Sequence, residues 1–140
     1  MANIKDAIRD IWAANTTLTD EVNVDTDESN RFFEDGVPEV PEGATGGNYV
    51  SITDFGGPVL LRSSSGTVRE GNLLIIIATD AKQTTEMLYA TFKQDIESNL
   101  RGTVTDMGSV CDLVFQSPLF QRTENGYFEC QVNLELTQSE

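Results

Sequence analysis

The sequence has no histidine and only two cysteines in 140 residues. Without imidazole there can be no Ser-His-Asp or Cys-His nucleophile system, and the commonest zinc ligand and general base are missing. Cys111 and Cys130 are too few for a disulfide scaffold and match no metal-binding spacing, which fits a reducing compartment. Cations are scarce as well: nine Lys and Arg stand against 23 Asp and Glu, a formal net charge of −14. Phosphate recognition needs clustered cations, so sequence-specific nucleic-acid binding is not expected, and acidic membrane surfaces are equally poor partners. No run reaches the roughly 18 apolar residues that span a bilayer, and the start MANIKDAIRD lacks the order of a secretory leader. The expectation is a protein made and kept in a cytoplasm, with no catalytic residue, no metal site and no cofactor.

What is present suits a single domain over residues 1–140. Hydrophobic residues make up 39% of the chain, enough at this length to bury roughly two-thirds of the unfolded surface. Ile4, Ala7, Ile8, Ile11 and Trp12 recur at helical spacing behind Asn3, a good N-cap, and predict an amphipathic helix over 3–14 with Trp12 in the core. An acidic loop over 20–48 follows. Between Asp20 and Glu42 nine carboxylates face one cation, Arg31, for a net −8. Pro38, Pro41 and three glycines make it loop around one short strand at 31–33, and it lacks the ligand spacing of an EF-hand.

Tyr49 to Asp54 predicts a half-buried strand that stops at Gly56-Gly57-Pro58. Residues 59–70 read as a long polar hairpin or mobile arm. Its stretch Arg62-Ser63-Ser64-Ser65-Gly66-Thr67 could offer backbone N–H groups to an anion, but it has no lysine and opens onto no helix, so it matches no phosphate loop. Leu73 to Ala78 is apolar without alternation and predicts a central strand covered on both faces, with a helix expected on each side. A second helix should run from an Asp80 N-cap, with Gln83 completing a capping box, through the stripe Leu88, Phe92, Ile96 and Leu100 to Gly102. Glu97 and Arg101 would pair along it.

The last third predicts a hairpin about Asn125-Gly126. A two-residue turn there sets Leu119 opposite Val132, Ser117 opposite Leu134, Phe115 opposite Leu136, Arg122 opposite Glu129 and Gln121 opposite Cys130. Phe128, Cys130, Val132, Leu134 and Leu136 then point inward, with Glu129, Gln131, Asn133 and Glu135 outward. Pro118 calls for a bulge or an edge position. In this register Cys111 lies about 30 Å from Cys130, beyond disulfide reach, and both read as small buried hydrophobes. The fold class is α+β: a mostly antiparallel sheet of four to five strands flanked by two helices, in the order α-β-β-β-α-β-β.

This arrangement resembles the tail terminator and tail-completion proteins of long-tailed bacteriophages. The blocks Glu28-Ser29-Asn30-Arg31-Phe32-Phe33 and Val68-Arg69-Glu70-Gly71-Asn72-Leu73-Leu74-Ile75-Ile76 are similar to the corresponding stretches of that family. The resemblance implies a structural, non-enzymatic virion protein of the tail or neck, assembled in the bacterial host cytoplasm. It implies a homohexameric ring that caps the tail tube and joins it to the head connector, so the partners would be further copies of itself, the tail tube protein and the head-tail connector protein. DNA would only pass through. On that reading Arg62, Ser63, Ser64 and Arg69 are subunit-interface residues, and Asp25, Asp27 and Glu28 face the lumen or its rim. The alternatives are a neck or tail-tube subunit of the same particle and, in another class, a small cytoplasmic carboxylate- or metal-dependent binding or enzyme domain.

Overall fold

The computed structural model describes residues 3–24, 31–34, 48–124 and 126–140. Helix α1 (Ile4–Ala13) begins as its sequence requires, with the Asn3 side chain accepting from the Asp6 N–H at 2.9 Å and Ile4, Ala7, Ile8 and Trp12 buried. A short helix α2 (Thr16–Glu21), not expected from sequence, follows at once. The Asn15 carboxamide caps it by accepting from the Thr17 N–H at 2.9 Å. Asp20 and Glu21 therefore sit on a helix; most of the remaining acidic loop, including Asp25, Asp27 and Glu28, lies outside the described residues.

The strands are β1 (Phe32–Phe33), β2 (Tyr49–Gly56), β3 (Val59–Ser63), β4 (Gly66–Thr79), β5 (Val104–Thr105), β6 (Gly108–Phe115), β7 (Leu119–Arg122) and β8 (Phe128–Ser139), with α3 (Lys82–Asn99) between β4 and β5. All eight form one sheet in the order β1-β2-β4-β8-β6-β5, with β3 added to β4 and β7 to β8. Only β1–β2 is parallel. The α+β class holds. The strand count exceeds the expected four to five because the polar arm is itself a β3–β4 hairpin, β5 is an added two-residue strand, and both β6 and β7 pair with β8 where one strand was expected.

Leu73 to Ala78 is the middle of β4, between β2 and β8, and is buried almost throughout. The helices do not lie on both sides of it, however. Both α1 and α3 pack on the face bearing Leu73, Ile75 and Ile77, where Trp12 meets Phe92 edge-on at 4.7 Å and Phe32 at 5.7 Å. The Trp12 indole N–H donates to the Val22 carbonyl at 2.9 Å, so this aromatic corner is polar-satisfied as well as dry. The opposite face needs no helix because side chains roof it: Tyr49, Tyr127, Phe33 and Leu74 surround Ile76 and Ala78. For the same reason the start of β2 is buried on both faces rather than half-buried.

Helix α3 buries Leu88, Phe92, Ile96 and then Leu100, as the stripe predicts, and Gly102 takes a left-handed φ of +86° just beyond its end. Its start differs. Asp80 provides no cap, and no side chain caps α3, whose N-cap is Ala81; the turn into the helix is held instead by Thr79 Oγ1, which accepts from the Ala81 N–H at 3.1 Å and meets Thr85 Oγ1 at 2.7 Å. Arg101 also chooses another partner. It reaches Asp112 at 2.9 Å across the turn into β6, while Glu97 pairs with Lys93. Direct hydrogen bonding from the Arg101 guanidinium holds the Asp112 carboxyl below the ordinary carboxylate range.

The C-terminal hairpin is displaced by one residue from the expected register. Leu119 faces Gln131, Phe120 faces Cys130, Gln121 faces Glu129 and Arg122 faces Phe128. Asn125 lies outside the described residues, but the flanking bonds define the turn: Thr123 N–H to Tyr127 O, Gly126 N–H to Thr123 O, and Gly126 at φ +85°. This is a three-residue loop ending in a left-handed glycine rather than a two-residue turn. A further slip occurs at 116–118, beside Pro118, so Phe115 faces Leu134. The five inward residues of β8 are buried as expected, but Glu129 is buried too, accepting from Gln121 at 3.0 Å and Gln131 at 2.5 Å. Cys130 is buried and Cys111 is exposed.

Candidate functional site

Among the described residues no group of three or more Cys, Asp and Glu side chains is placed to hold a metal ion, and no described helix is long and apolar enough to cross a membrane. The serine-rich tip is a tight turn, not an anion cradle. Ser63 Oγ accepts from the Ser65 N–H at 3.2 Å and lies 2.8 Å from Ser65 Oγ, so an N–H that an anion would need is already used.

What the fold displays instead is unsatisfied surface. Residues 54–57 break the β2–β4 ladder: Asp54 Oδ1 accepts from the Gly56 N–H at 2.7 Å, Gly56 takes φ +67°, and the register with β4 shifts. Beyond this bulge β3 continues along the same edge of β4 with every residue exposed. Phe55, Leu60 and Leu61 are 65%, 53% and 60% exposed. An apolar edge strand in this state is a ready template for another chain. The sequence signal for this surface is Val59-Leu60-Leu61, three apolar residues just before the serine-rich tip.

Of the expected interface residues, Arg62, Ser63 and Ser64 are exposed at the hairpin end. Arg69 is half-buried nearer the base, opposite Val59 and Gln138, and its Nε is enclosed without a hydrogen-bond partner among the described residues. The structure therefore separates the two arginines into a free tip cation and a recessed one. The other end of the sheet carries a second apolar surface, where exposed Leu119 and Phe120 lie on β7 and the Phe120 ring meets Tyr89 of α3 at 5.7 Å.

A third feature lies on the helical layer. Asn15 donates from Nδ2 to Asp95 Oδ2 at 2.8 Å, tying the α1–α2 junction to α3. Beside this link a groove of about 660 Å³ opens between α1, α3 and β5, lined by Ile11, Ala14 and Val104 together with Asp10, Asp95 and Asn99.

No family model matches the sequence, and no curated protein matches it. The fold, by contrast, has a counterpart among solved structures. It is similar to that of a chain in the structure described as the virion of a native gene transfer agent (GTA) particle, with a TM-score of 0.68 at 19% identity, over 99% of this chain and 96% of that one.

Proposed function

We propose that this protein is a structural subunit of a phage-like virion, and that it acts through its surfaces rather than by catalysing a reaction. The observation that carries the reading is the likeness along nearly the whole of both chains to a component of a virion particle. Exposed apolar edges agree with it, because a subunit that works only in an assembly leaves its joining surfaces bare when alone. Within that class the role is tail terminator: a ring, a homohexamer, that ends the tail tube and joins it to the head connector. The arm over 59–70 packs against a neighbouring subunit, with Arg62, Ser63, Ser64 and Arg69 at the contact. Asp25, Asp27 and Glu28 face the lumen or rim, where carboxylates repel the DNA backbone and let it slide.

The test is the assembly state of the purified protein. Light scattering should give six times the 15.4 kDa chain mass, and electron microscopy should show closed single rings. Stacked tubes would replace the terminator with a tube subunit. A monomer at every concentration would remove the ring.

A further inference from the structure

We propose that the groove between α1, α3 and β5 is the socket for the β3–β4 arm of a second copy of this chain, with Leu60 and Leu61 on its apolar wall and Arg62 between Asp10 and Asp95. This rests on the self-assembly reading above and names the two surfaces that meet.

The argument begins with charge. A chain of net charge −14 repels its own copies, so a stable homotypic contact must bring a cation to carboxylates. Most cations are already engaged within the chain: Arg9 with Glu34, Lys93 with Glu97 and Arg101 with Asp112, while Arg31 and Lys82 lie over the Phe33 and Phe128 rings. Arg62 is exposed and has no ion pair among the described residues. It is also the cation that follows directly on two exposed leucines. The groove is the matching surface, with Ile11, Ala14 and Val104 as apolar wall and Asp10 and Asp95 as acid groups, and its volume of about 660 Å³ has room for several side chains. No cation lines it. Arginine flanked by apolar contacts is a composition enriched where interfaces carry most of their binding energy.

Topology excludes the contact within one chain. The arm lies on the β2 side of β4, whereas the groove adjoins β5 at the opposite end of the strand order. Two complementary patches on opposite flanks make a heterologous, head-to-tail contact, which closes into a ring when the rotation per subunit permits.

The experiment uses the full chain in three variants, Arg62→Asp, Asp10→Arg and the double Arg62→Asp/Asp10→Arg, each followed by light scattering, with circular dichroism confirming the fold. Both altered side chains are exposed, so folding should be unaffected. Each single variant should fall to monomer mass, and the double variant, which restores opposite charges across every contact, should recover the assembly. In parallel, a Leu61→Cys chain and a Val104→Cys chain, both carrying Cys111→Ser, should cross-link on mild oxidation only when mixed. Assemblies that persist in both single variants and give no cross-link would overturn this contact while leaving self-assembly standing. A monomeric wild type would overturn both.

Discussion

Thr79 and Thr85 bring their hydroxyls to 2.7 Å in a site closed to solvent, where the end of β4, the start of α3 and the start of β8 converge. Thr85 Oγ1 also donates to the Phe128 carbonyl at 2.8 Å, and Thr79 Oγ1 lies 2.7 Å from the Ala81 carbonyl. Two hydroxyl protons thus serve a chain of acceptors that fixes where the helix leaves the sheet. Thr85→Val keeps the shape but strands the Phe128 carbonyl, and should cost about 1–3 kcal/mol. Thr79→Val should cost a similar amount, and the double variant less than the sum, because one coupled network is lost in each case. Urea denaturation of the four proteins checks the cycle.

Ile76 is 4% exposed on the helix-free face, enclosed by Tyr49, Ala78 and the neighbouring rings. Ile76→Asp would bury a carboxylate among apolar and aromatic side chains and should cost about 3–5 kcal/mol or prevent folding. Ile76→Val, which only trims a methyl group, should cost about 0.5–1.5 kcal/mol and keep the fold. A small loss on Ile76→Asp, read from the denaturation midpoint, would mean that the roof of Tyr49 and Tyr127 is open to water.

Elements whose identity is written in local period were legible from sequence. The 3.6-residue stripes of α1 and α3, the Asn3 cap, the terminal Gly102 and the unbroken apolar run of β4 each constrain their own neighbourhood. Misreadings came where one residue more or less decides the outcome. At Gly126 a three-residue loop and a two-residue turn suit nearly the same sequence, yet they differ by one in register, and this moved Arg122 off Glu129. Which face a helix covers is a tertiary choice: Ile76 demanded cover, and aromatic side chains provided it instead of a helix. The groove was invisible for a related reason, since Asp10 and Asp95 are brought together only by the packing of α1 on α3.

Burial pushes the Cys130 thiol up to about 12 from an ordinary value of 9.0, and the neighbouring Glu129 charge adds to the rise. The unfolded chain releases this proton near pH 9, whereas the native chain holds it to about pH 12. Within that window the unfolded state binds fewer protons, so the stability contribution is whole below pH 9 and is lost as pH rises toward 12. Tyr49 and Tyr89, also raised by burial, act in the same direction at higher pH. Wild type should therefore lose stability between pH 8.5 and 10.5, and Cys130→Ala, although less stable at the outset, should lose less. At pH 8 a thiol reagent should label one cysteine, the exposed Cys111, and reach Cys130 only on unfolding.

Gly57 lies between β2 and β3, at the base of the arm. A Cβ built there would stand 2.2 Å from the Glu70 carbonyl oxygen, a backbone atom held in place because the Glu70 N–H donates to Pro58 O at 2.9 Å. Gly57→Ala therefore cannot be absorbed by a side-chain rotation, and β3 must separate from β4 at its base. Gly56→Ala differs in kind: its site is open, and the cost is only that of a left-handed φ of +67°. Hydrogen exchange separates the two variants. Gly57→Ala should raise exchange at the paired amides of residues 59–70 and leave β8 and α3 protected, since the arm lies outside both buried clusters. If the arm is the joining element, the same variant should assemble less well at equal core stability. Undisturbed exchange across 59–70 would show that the close approach at Gly57 relaxes without cost.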